Sequence, residues 1–275
     1  MKNLTRKFFA LALSISFFIY VFGKSPKEQF TFIQLTDPQM GFISGNKNCD
    51  EEIRLYTKTV GYINQIKPKF VVITGDFVNN RTDSVQIDAF KKITSSISKK
   101  IPVYLIPGNH DISMKPTTET LNLYFQNYGM DRFDFVCKKV QFIGINSCLI
   151  KSGTEQEKLQ LDWLKVCLAK GPVKMRKVVF THQPFYIRSM DEADSYETIP
   201  QPERSEYFQL LKASGVIAVF SGHYHNNAKS TYQGIDLVVS SAVGKTMGKV
   251  GSGFRVIKVY RDSIANTFVE LSKIK

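Results

Sequence analysis

Six short runs of apolar residues, each followed by a polar or glycine-rich turn, constrain the fold of this chain. They lie within residues 30–39, 70–80, 101–111, 140–147, 177–184 and 215–225. Their Val, Ile and Phe residues occupy consecutive positions instead of alternating with charged residues, which is typical of strands covered on both faces. The runs therefore predict an α/β fold with buried sheets.

Amphipathic segments between the runs predict helices. Apolar residues spaced by three and four positions predict one face of a helix over 50–66. Those residues are Ile53, Tyr56, Val60 and Ile63. Similar spacings predict helices near 156–169 and over 203–215, the latter ending at Gly215.

The C-terminal part of the chain differs from the rest. Residues 235–244 and 253–260 indicate strands without an intervening helix. Because no linker divides residues 30–270, we expect a single mixed α/β domain.

Metal-ligand residue types follow five of the six runs. They are Asp37 and Gln39 after the first, Asp76 after the second, Asn109, His110 and Asp111 after the third, His182 after the fifth, and His223 and His225 after the sixth. The carboxyl ends of strands line the ligand crevice in open α/β sheets. All four histidines of the chain belong to this set, so we expect five loops to build one site.

The residue types of this set indicate its chemistry. Carboxylate, amide and imidazole groups without a thiolate suit Mn, Fe or Zn ions. The set is too large for one tetrahedral ion and suits two ions that share a carboxylate, an arrangement adapted to phosphoryl displacement. We therefore expect two divalent or trivalent metal ions as cofactors.

Five short motifs carry a family resemblance. They are DPQ at 37–39, GD at 75–76, GNHD at 108–111, THQP at 181–184 and GHYH at 222–225. In this order they resemble the calcineurin-like metallophosphoesterase family. Longer phrases over most of residues 30–260 resemble the branch that contains an animal Ser/Thr phosphatase. The resemblance implies one domain over 30–275, a sandwich of two mixed β-sheets flanked by helices.

The resemblance also implies how the polar set is divided between two ions. One ion would be bound by Asp37, Gln39, Asp76 and His225, and the other by Asp76, Asn109, His182 and His223. His110 would contact the phosphate as an acid or charge stabiliser, and Asp111 would orient its ring. Most family members have His where this chain has Gln39, which leaves open whether Gln39 binds a metal directly or through water.

Other residues near the motifs have two interpretations each. Tyr186, Tyr196 and Tyr224 either stack on a substrate or cover the edge of the core. The acidic segment 191–197 either forms the rim of the site or is an ordinary solvated surface. Asn146 and Ser147, after the fourth run, either support the site or have no part in it.

Residues 1–23 have the character of a targeting segment. Three basic residues precede an uncharged apolar run, Phe8–Phe22, which is typical of a secretory signal and short for a spanning helix. Because the cleavage site is indistinct, this segment is either a signal peptide or an N-terminal membrane anchor, followed by a linker over 24–29. We expect an exported protein, periplasmic or secreted, or one anchored to the membrane and facing away from the cytoplasm.

Charge and cysteine content limit the partners. Removal of residues 1–23 would lower the formal net charge from +13 to +10. The lysines are dispersed and not interleaved with aromatic residues, so no nucleic-acid partner is predicted. The four cysteines lack CxxC spacing, which disfavours a zinc cluster and leaves disulfides, free thiols and the oligomeric state open.

Together these features predict an exported two-metal phosphoesterase. The expected substrate is a phosphorylated protein of the Ser/Thr type or a small phosphomonoester, hydrolysed by a metal-bridging hydroxide as the resemblance implies. A phosphodiesterase or nucleotide pyrophosphatase is the alternative on the same site. A non-catalytic, metal-containing binding module is an alternative of another class, but a structural site has no need of a non-ligand imidazole such as His110.

Overall fold

The computed structural model describes residues 27–150, 152–172 and 175–274. The predicted signal peptide or anchor over 1–23 lies outside the described residues. The first strand begins at Glu28, so the chain enters the domain within the segment predicted as a linker over 24–29.

The strands of the described part form two sheets. They are β1 (Glu28–Leu35), β2 (Val71–Thr74), β3 (Val103–Ile106), β4 (Phe133–Cys137), β5 (Val140–Gly144), β6 (Arg176–Phe180), β7 (Val216–Ser221), β8 (Ala228–Tyr232), β9 (Ile235–Val239), β10 (Gly253–Tyr260) and β11 (Ile264–Glu270). The first sheet has the order β11-β10-β1-β2-β3, and the second has the order β4-β5-β6-β7-β9-β8. All six apolar runs contain a strand, as predicted.

Both sheets are mixed. In the first sheet β1, β2 and β3 are parallel, and β10 pairs antiparallel with β1 and β11. In the second sheet β5, β6, β7 and β9 are parallel, and β4 and β8 pair antiparallel at the two edges. The parallel strands end at a common edge in each sheet, which is where the chain places its polar motifs.

An apolar layer rich in phenylalanine joins the two sheets. Its members include Phe32, Phe70, Phe142, Phe180 and Phe220, all buried. Phe32 stacks on Phe70 with 4.8 Å between ring centroids, and it meets Phe142 edge to face at 5.4 Å. Aromatic pairs with these geometries are more favourable than their buried area alone. The two sheets are thereby held in a fixed relation at the edge that carries the motifs.

Helices cover the outer face of each sheet. They are α1 (Asp50–Ile66), α2 (Ser84–Ser95), α3 (Asn109–Ile112), α4 (Thr118–Tyr128), α5 (Glu155–Ala169) and α6 (Glu203–Ala213). The core that includes α1 and α2 packs on the first sheet, and the core that includes α5 and α6 packs on the second. The sandwich of two mixed sheets flanked by helices is therefore confirmed.

The predicted helices are present, with one error in the predicted buried face. On α1, Tyr56, Val60 and Ile63 are buried, but Ile53 is 38% exposed. Leu55 and Thr59 are buried instead, because the stripe that faces the sheet is rotated from the predicted one. Helix α6 ends at Ala213, and Gly215 follows with the left-handed backbone conformation expected after a helix.

Two further observations concern membrane and thiol chemistry. Within the described ranges, no helix combines the length and the apolar character that a bilayer crossing requires. All four cysteines, which lie in those ranges, carry free thiols.

Candidate metal centre

Five loops bring the predicted polar residues together at the carboxyl edge of the sandwich. They follow β1, β2, β3, β6 and β7, and backbone hydrogen bonds join loops that follow neighbouring strands of the same sheet. The N–H of Asp37 donates to the carbonyl of Gly75 at 3.0 Å, and the N–H of Gly222 donates to the carbonyl of His182 at 2.9 Å. The loops therefore lie side by side in the order of the strands they follow, and these bonds fix the positions of the side chains that the loops carry.

Several residues of this set have a strained backbone. Left-handed φ angles occur at Asp37, Gln39, Asp76, His223 and His225, between 40° and 66°. Residues with a Cβ adopt this conformation at a cost, on the order of 1 kcal/mol or more each, and such residues concentrate at functional sites. The surrounding structure therefore holds these five side chains in place against their local preference.

Two glycines permit the close approach of the loops. A Cβ at Gly108 would collide with the carboxylate and backbone N–H of Asp76, and one at Gly222 would collide with Thr36 and Asp37. The glycines of the GNHD and GHYH motifs are thus required by the packing of the neighbouring loops.

The buried carboxylates and imidazoles form two clusters that share one residue. Asp76, His182 and His223 offer ligand atoms within 4.8 Å of one another, and so do Asp37, Asp76 and His225. Nε2 of His182 lies 3.4 Å from Oδ2 of Asp76, and Nε2 of His225 lies 3.4 Å from Oδ1 of Asp37. Asp76 thus belongs to both clusters, and the division of the ligands between two ions stays a prediction.

A backbone carbonyl orients each of these three imidazoles. Nδ1 of His182 faces the carbonyl of Thr74 at 2.7 Å, Nδ1 of His225 faces that of Lys245, and Nε2 of His223 faces that of Tyr196 at 3.0 Å. Because a carbonyl oxygen can only accept, the ring nitrogen that faces it carries a hydrogen. The other nitrogen of each ring is left for a ligand, as is usual for metal-binding histidines.

Amide and carboxylate oxygens complete a donor set that fits metal ions. Oδ1 of Asp37 and Oε1 of Gln39 are buried without a hydrogen-bond partner, which is costly unless another group satisfies them. Oδ1 of Asn109 lies 3.1 Å from Nε2 of His182. Buried oxygens that converge with imidazole nitrogens, with no thiol among them, suit borderline to hard cations. The residues present therefore fit two metal ions.

The buried charges of the centre shift one another's pKa. Burial disfavours the imidazolium form of His182, but the Asp76 carboxylate outweighs burial and raises the pKa of His182 to about 9. Burial and the neighbouring His182 lower the pKa of His223 to about 4. Burial also opposes ionisation of Asp37, but His225 lowers the pKa of this carboxyl overall. A cation bound here would displace the proton of His182, since a metal ligand must be deprotonated.

His110 lies beside the clusters without belonging to either. Its backbone N–H donates to Oδ1 of Asp76 at 2.8 Å, and its Nδ1 faces the carbonyl of Asn79 at 2.9 Å. Nδ1 therefore carries a hydrogen, and the ring lines the cavity of the site. The arrangement suits a group that holds or releases a proton at Nε2.

The prediction that Asp111 orients the His110 ring is wrong. Oδ1 of Asp111 accepts the backbone N–H of Phe77 at 2.9 Å, and its Oδ2 accepts that of Gly108 at 2.8 Å. Both carboxylate oxygens are thus occupied by backbone groups, because Asp111 lies in the short helix α3, which packs against the loop after β2. The carbonyl of Asn79 orients His110, and Asp111 joins two motif loops.

A cavity of about 330 Å³ opens over the clusters. Its lining comprises Gln39, Phe42, Asp76, His110, Tyr196, Glu197, His223, Tyr224, His225, Asn226 and Met247. Of the three tyrosines with two interpretations, Tyr196 and Tyr224 line this cavity. Tyr186 is buried, and its hydroxyl accepts a hydrogen bond from Ser230 at 2.9 Å, so it covers the core.

The acidic segment 191–197 is divided between the site and its surroundings. Tyr196 and Glu197 line the cavity, whereas the Glu192 carboxylate accepts the backbone N–H groups of Ile187 and Arg188. The end of the segment therefore forms part of the rim of the site. Its start, at Glu192, stabilises the turn of the loop itself.

Asn146 and Ser147 support neighbouring loops. The Ser147 hydroxyl accepts the backbone N–H of Gln183 at 3.0 Å, directly after His182. The Asn146 side chain accepts from the N–H of Cys148 and donates to Asp131. Ser147 thus contributes to the placement of His182, and Asn146 caps the helical turn Ser147–Leu149 that follows it.

Sequence reasoning did not identify Thr36 or Phe42. The Thr36 hydroxyl donates to Oδ2 of Asp37 at 2.6 Å and leaves Oδ1 for the site. The Phe42 ring lies 5.6 Å from the ring of His225. Thr36 directly precedes Asp37, so its place next to the DPQ motif could have indicated its role. No feature of the sequence indicated the role of Phe42.

Comparisons with known proteins agree with this geometry. The sequence model of the family described as calcineurin-like phosphoesterase matches residues 30–227. The Ser/Thr protein phosphatase CPPED1 of Rattus norvegicus is 34% identical over 89% of this chain and 85% of its own length. Human CPPED1 is 34% identical over 90% of this chain and 86% of its own.

A solved structure shares the fold. The dimetal phosphatase from Danio rerio superposes with a TM-score of 0.68 at 15% identity, over 89% of this chain and 98% of its own. The chain therefore belongs to the calcineurin-like phosphoesterase family, and it is a phosphoric ester hydrolase.

Proposed function

We propose that this protein is a two-metal phosphomonoesterase that acts on phosphorylated Ser or Thr side chains. The observation that carries the proposal is the pair of buried ligand clusters that share Asp76 beneath a cavity lined by His110. The similarity to CPPED1, named a Ser/Thr protein phosphatase, supports this substrate class. Small phosphomonoesters are the simplest molecules of the same chemistry.

The proposed ligands follow the two clusters. Asp37, Gln39, Asp76 and His225 would hold one ion, and Asp76, Asn109, His182 and His223 the other. When bound, two ions would polarise the phosphoryl group and activate the attacking water. Mn, Fe and Zn are the candidates by donor type.

The protein's own groups supply the rest of the mechanism. His110, held at Nδ1 by the carbonyl of Asn79, presents Nε2 to the cavity and delivers a proton to the leaving oxygen. The carbonyls of Thr74, Tyr196 and Lys245 fix the ring planes of three ligands, so that the site is ordered before the substrate arrives.

Parallel assays of a phosphomonoester and a phosphodiester test the reaction class. The purified domain, loaded separately with Mn²⁺, Zn²⁺ or Fe²⁺, would be given p-nitrophenyl phosphate, bis-p-nitrophenyl phosphate and a phosphoserine peptide. We expect monoester and peptide hydrolysis to exceed diester hydrolysis. Turnover of the diester alone would overturn the proposal in favour of a phosphodiesterase, and metal binding without turnover of any substrate would favour a binding module.

We further propose that the protein is exported or membrane-anchored through residues 1–23. The apolar run Phe8–Phe22 after three basic residues supports this location. Fractionation of cells that produce the full chain, with mass analysis of the mature N-terminus, distinguishes a cleaved signal from an anchor. Recovery of the intact chain in the cytoplasmic fraction would contradict both.

A further inference from the structure

Tyr196 reaches the metal centre from outside the five motifs, beyond the THQP motif of the same connection. It lies in the long connection between β6 and α6 and lines the cavity together with Asp76 and His110. The residue is 57% exposed in spite of these neighbours. The tyrosine is therefore placed where it can contact both the buried ligands and a molecule that enters the cavity.

The hydrogen bond between Asn109 and Tyr196 has a defined direction. Nδ2 of Asn109 lies 3.0 Å from the Tyr196 hydroxyl, and an amide nitrogen can only donate. The hydroxyl oxygen therefore accepts, and its own hydrogen stays available for another acceptor. Among the described residues, Asn109 is the one partner that this hydroxyl has.

The position of Tyr196 is fixed by a second ligand. Its backbone carbonyl accepts from Nε2 of His223 at 3.0 Å, and the two ring centroids are 4.9 Å apart. The tyrosine thus contacts one candidate ligand through its hydroxyl and another through its backbone and ring. Both contacts hold it close to where the phosphoryl group of a substrate would lie.

A buried arginine makes the loop around Tyr196 rigid. Arg204 is fully buried, and its guanidinium donates to the carbonyls of Ile199 at 2.7 Å and Glu192 at 2.7 Å, and to the Thr198 hydroxyl at 3.1 Å. These bonds lie on both sides of Tyr196 in the sequence. A donor held in this way needs little reorganisation when a ligand binds.

We propose that the Tyr196 hydroxyl donates a hydrogen bond to a non-bridging oxygen of the substrate phosphoryl group. The phosphoryl oxygens carry negative charge, and the cavity already brings a second proton donor, His110, to the same space. Tyr196 is thus a catalytic residue outside the five motifs. The assignment rests on the proposed phosphoesterase function and adds a substrate contact to it.

Tyr196→Phe tests the assignment because it removes the hydroxyl and leaves the ring and backbone carbonyl beside His223. Tyr186→Phe is the matched control. It removes a tyrosine hydroxyl from the same connection between β6 and α6, but that hydroxyl pairs with Ser230 and not with a residue of the site. Both variants and the wild type, loaded with Mn²⁺, would be compared for ions bound per chain, for the dissociation constant of inorganic phosphate and for kcat/KM with p-nitrophenyl phosphate.

We expect Tyr196→Phe to keep the wild-type metal content, to weaken phosphate binding and to lower kcat/KM by about 10- to 100-fold, the usual effect of a lost hydrogen bond to a charged group. Unchanged phosphate affinity and turnover would overturn the proposal. Loss of metal from Tyr196→Phe would also overturn it, because the hydroxyl would then act through Asn109. Failure of the proposed function can be told apart from failure of this assignment. In that case the metal-loaded wild type would itself be inactive, and the phosphate affinities of the wild type and Tyr196→Phe would still test the contact.

Discussion

The Asp76 carboxylate links the candidate metal clusters to His110. Its Oδ2 lies 3.4 Å from Nε2 of His182, and its Oδ1 accepts the backbone N–H of His110 at 2.8 Å. The buried Asp76 side chain therefore contacts His182, a candidate ligand, and also positions the backbone of His110, the proposed acid. Changes at the metal clusters and at His110 should be separable, because the His110 ring itself is held by the carbonyl of Asn79.

Replacement of His110 by Ala should lower turnover without loss of metal. We expect kcat for p-nitrophenyl phosphate to fall by about 10²-fold or more, the usual contribution of a positioned proton donor. The metal content should stay close to that of the wild type, since His110 lies in neither ligand cluster. Elemental analysis and steady-state kinetics on the same sample provide the check. Undiminished turnover would refute the assigned role.

Replacement of Asp111 by Asn should act on stability. Both carboxylate oxygens accept hydrogen bonds from backbone N–H groups, those of Phe77 and Gly108. In the Asn variant the side-chain NH₂ group would face one of these two N–H donors, and that hydrogen bond would be lost. We expect the free energy of unfolding to fall by about 1–3 kcal/mol. Denaturant unfolding measures the loss, and assays well below the melting temperature should show most of the wild-type kcat. A fall in kcat as large as that of His110→Ala, with stability unchanged, would restore the original prediction for Asp111.

Gln39→Glu tests whether the buried amide oxygen is a ligand. The substitution keeps the side-chain shape and replaces a neutral oxygen, which lacks a hydrogen-bond partner, with a charged one. If Oε1 contacts the ion, we expect Mn²⁺ binding at the cluster of Asp37, Asp76 and His225 to become about tenfold tighter, because a charged carboxylate attracts a cation more strongly than a neutral amide oxygen. Calorimetric titration of the metal-free variant measures the affinity. An affinity equal to that of the wild type would place Gln39 outside the coordination sphere.

Metal binding should release protons and strengthen with pH. Asp76 raises the pKa of His182 to about 9, so without a cation this imidazole is protonated at neutral pH and must lose its proton when it becomes a ligand. The raised pKa of His182 also contributes to the free energy of unfolding of the metal-free protein. This stabilisation is fully present below about pH 6.5 and is lost as the pH rises through about 9. We therefore expect Mn²⁺ affinity to rise up to about pH 9. Titrations at pH 7 in buffers with different ionisation enthalpies measure the proton count, and an affinity independent of pH would contradict the shift.

The central strands and the polar set were predictable because both leave a local signal. A strand buried on two faces requires consecutive apolar residues, as in Val71–Thr74. The edge strands β4, β8 and β11 left no such signal. Strand β8, Ala228–Tyr232, has an alternating pattern of partly buried and exposed residues, and a sequence that meets solvent on one face is hard to tell from a loop.

The wrong role for Asp111 and the unpredicted contact of Tyr196 have a common physical origin. The direction of the Asp111 side chain depends on how α3 packs against the loop after β2, and the contact of Tyr196 with Asn109 joins residues 87 positions apart. Neither depends on residue type alone. Residue types and their order along the chain predicted which groups would meet, but the hydrogen-bond partners of each group are set by tertiary packing.

The number of metal ions bound per chain, measured on the wild type and on Asp76→Asn, decides whether two ions share the Asp76 carboxylate. Asp76 belongs to both clusters, so we expect about two ions per wild-type chain, about one or fewer in the variant, and loss of phosphomonoesterase activity with the second ion. A wild type that is fully active with one ion, or a variant that keeps both ions, would contradict the shared two-metal centre.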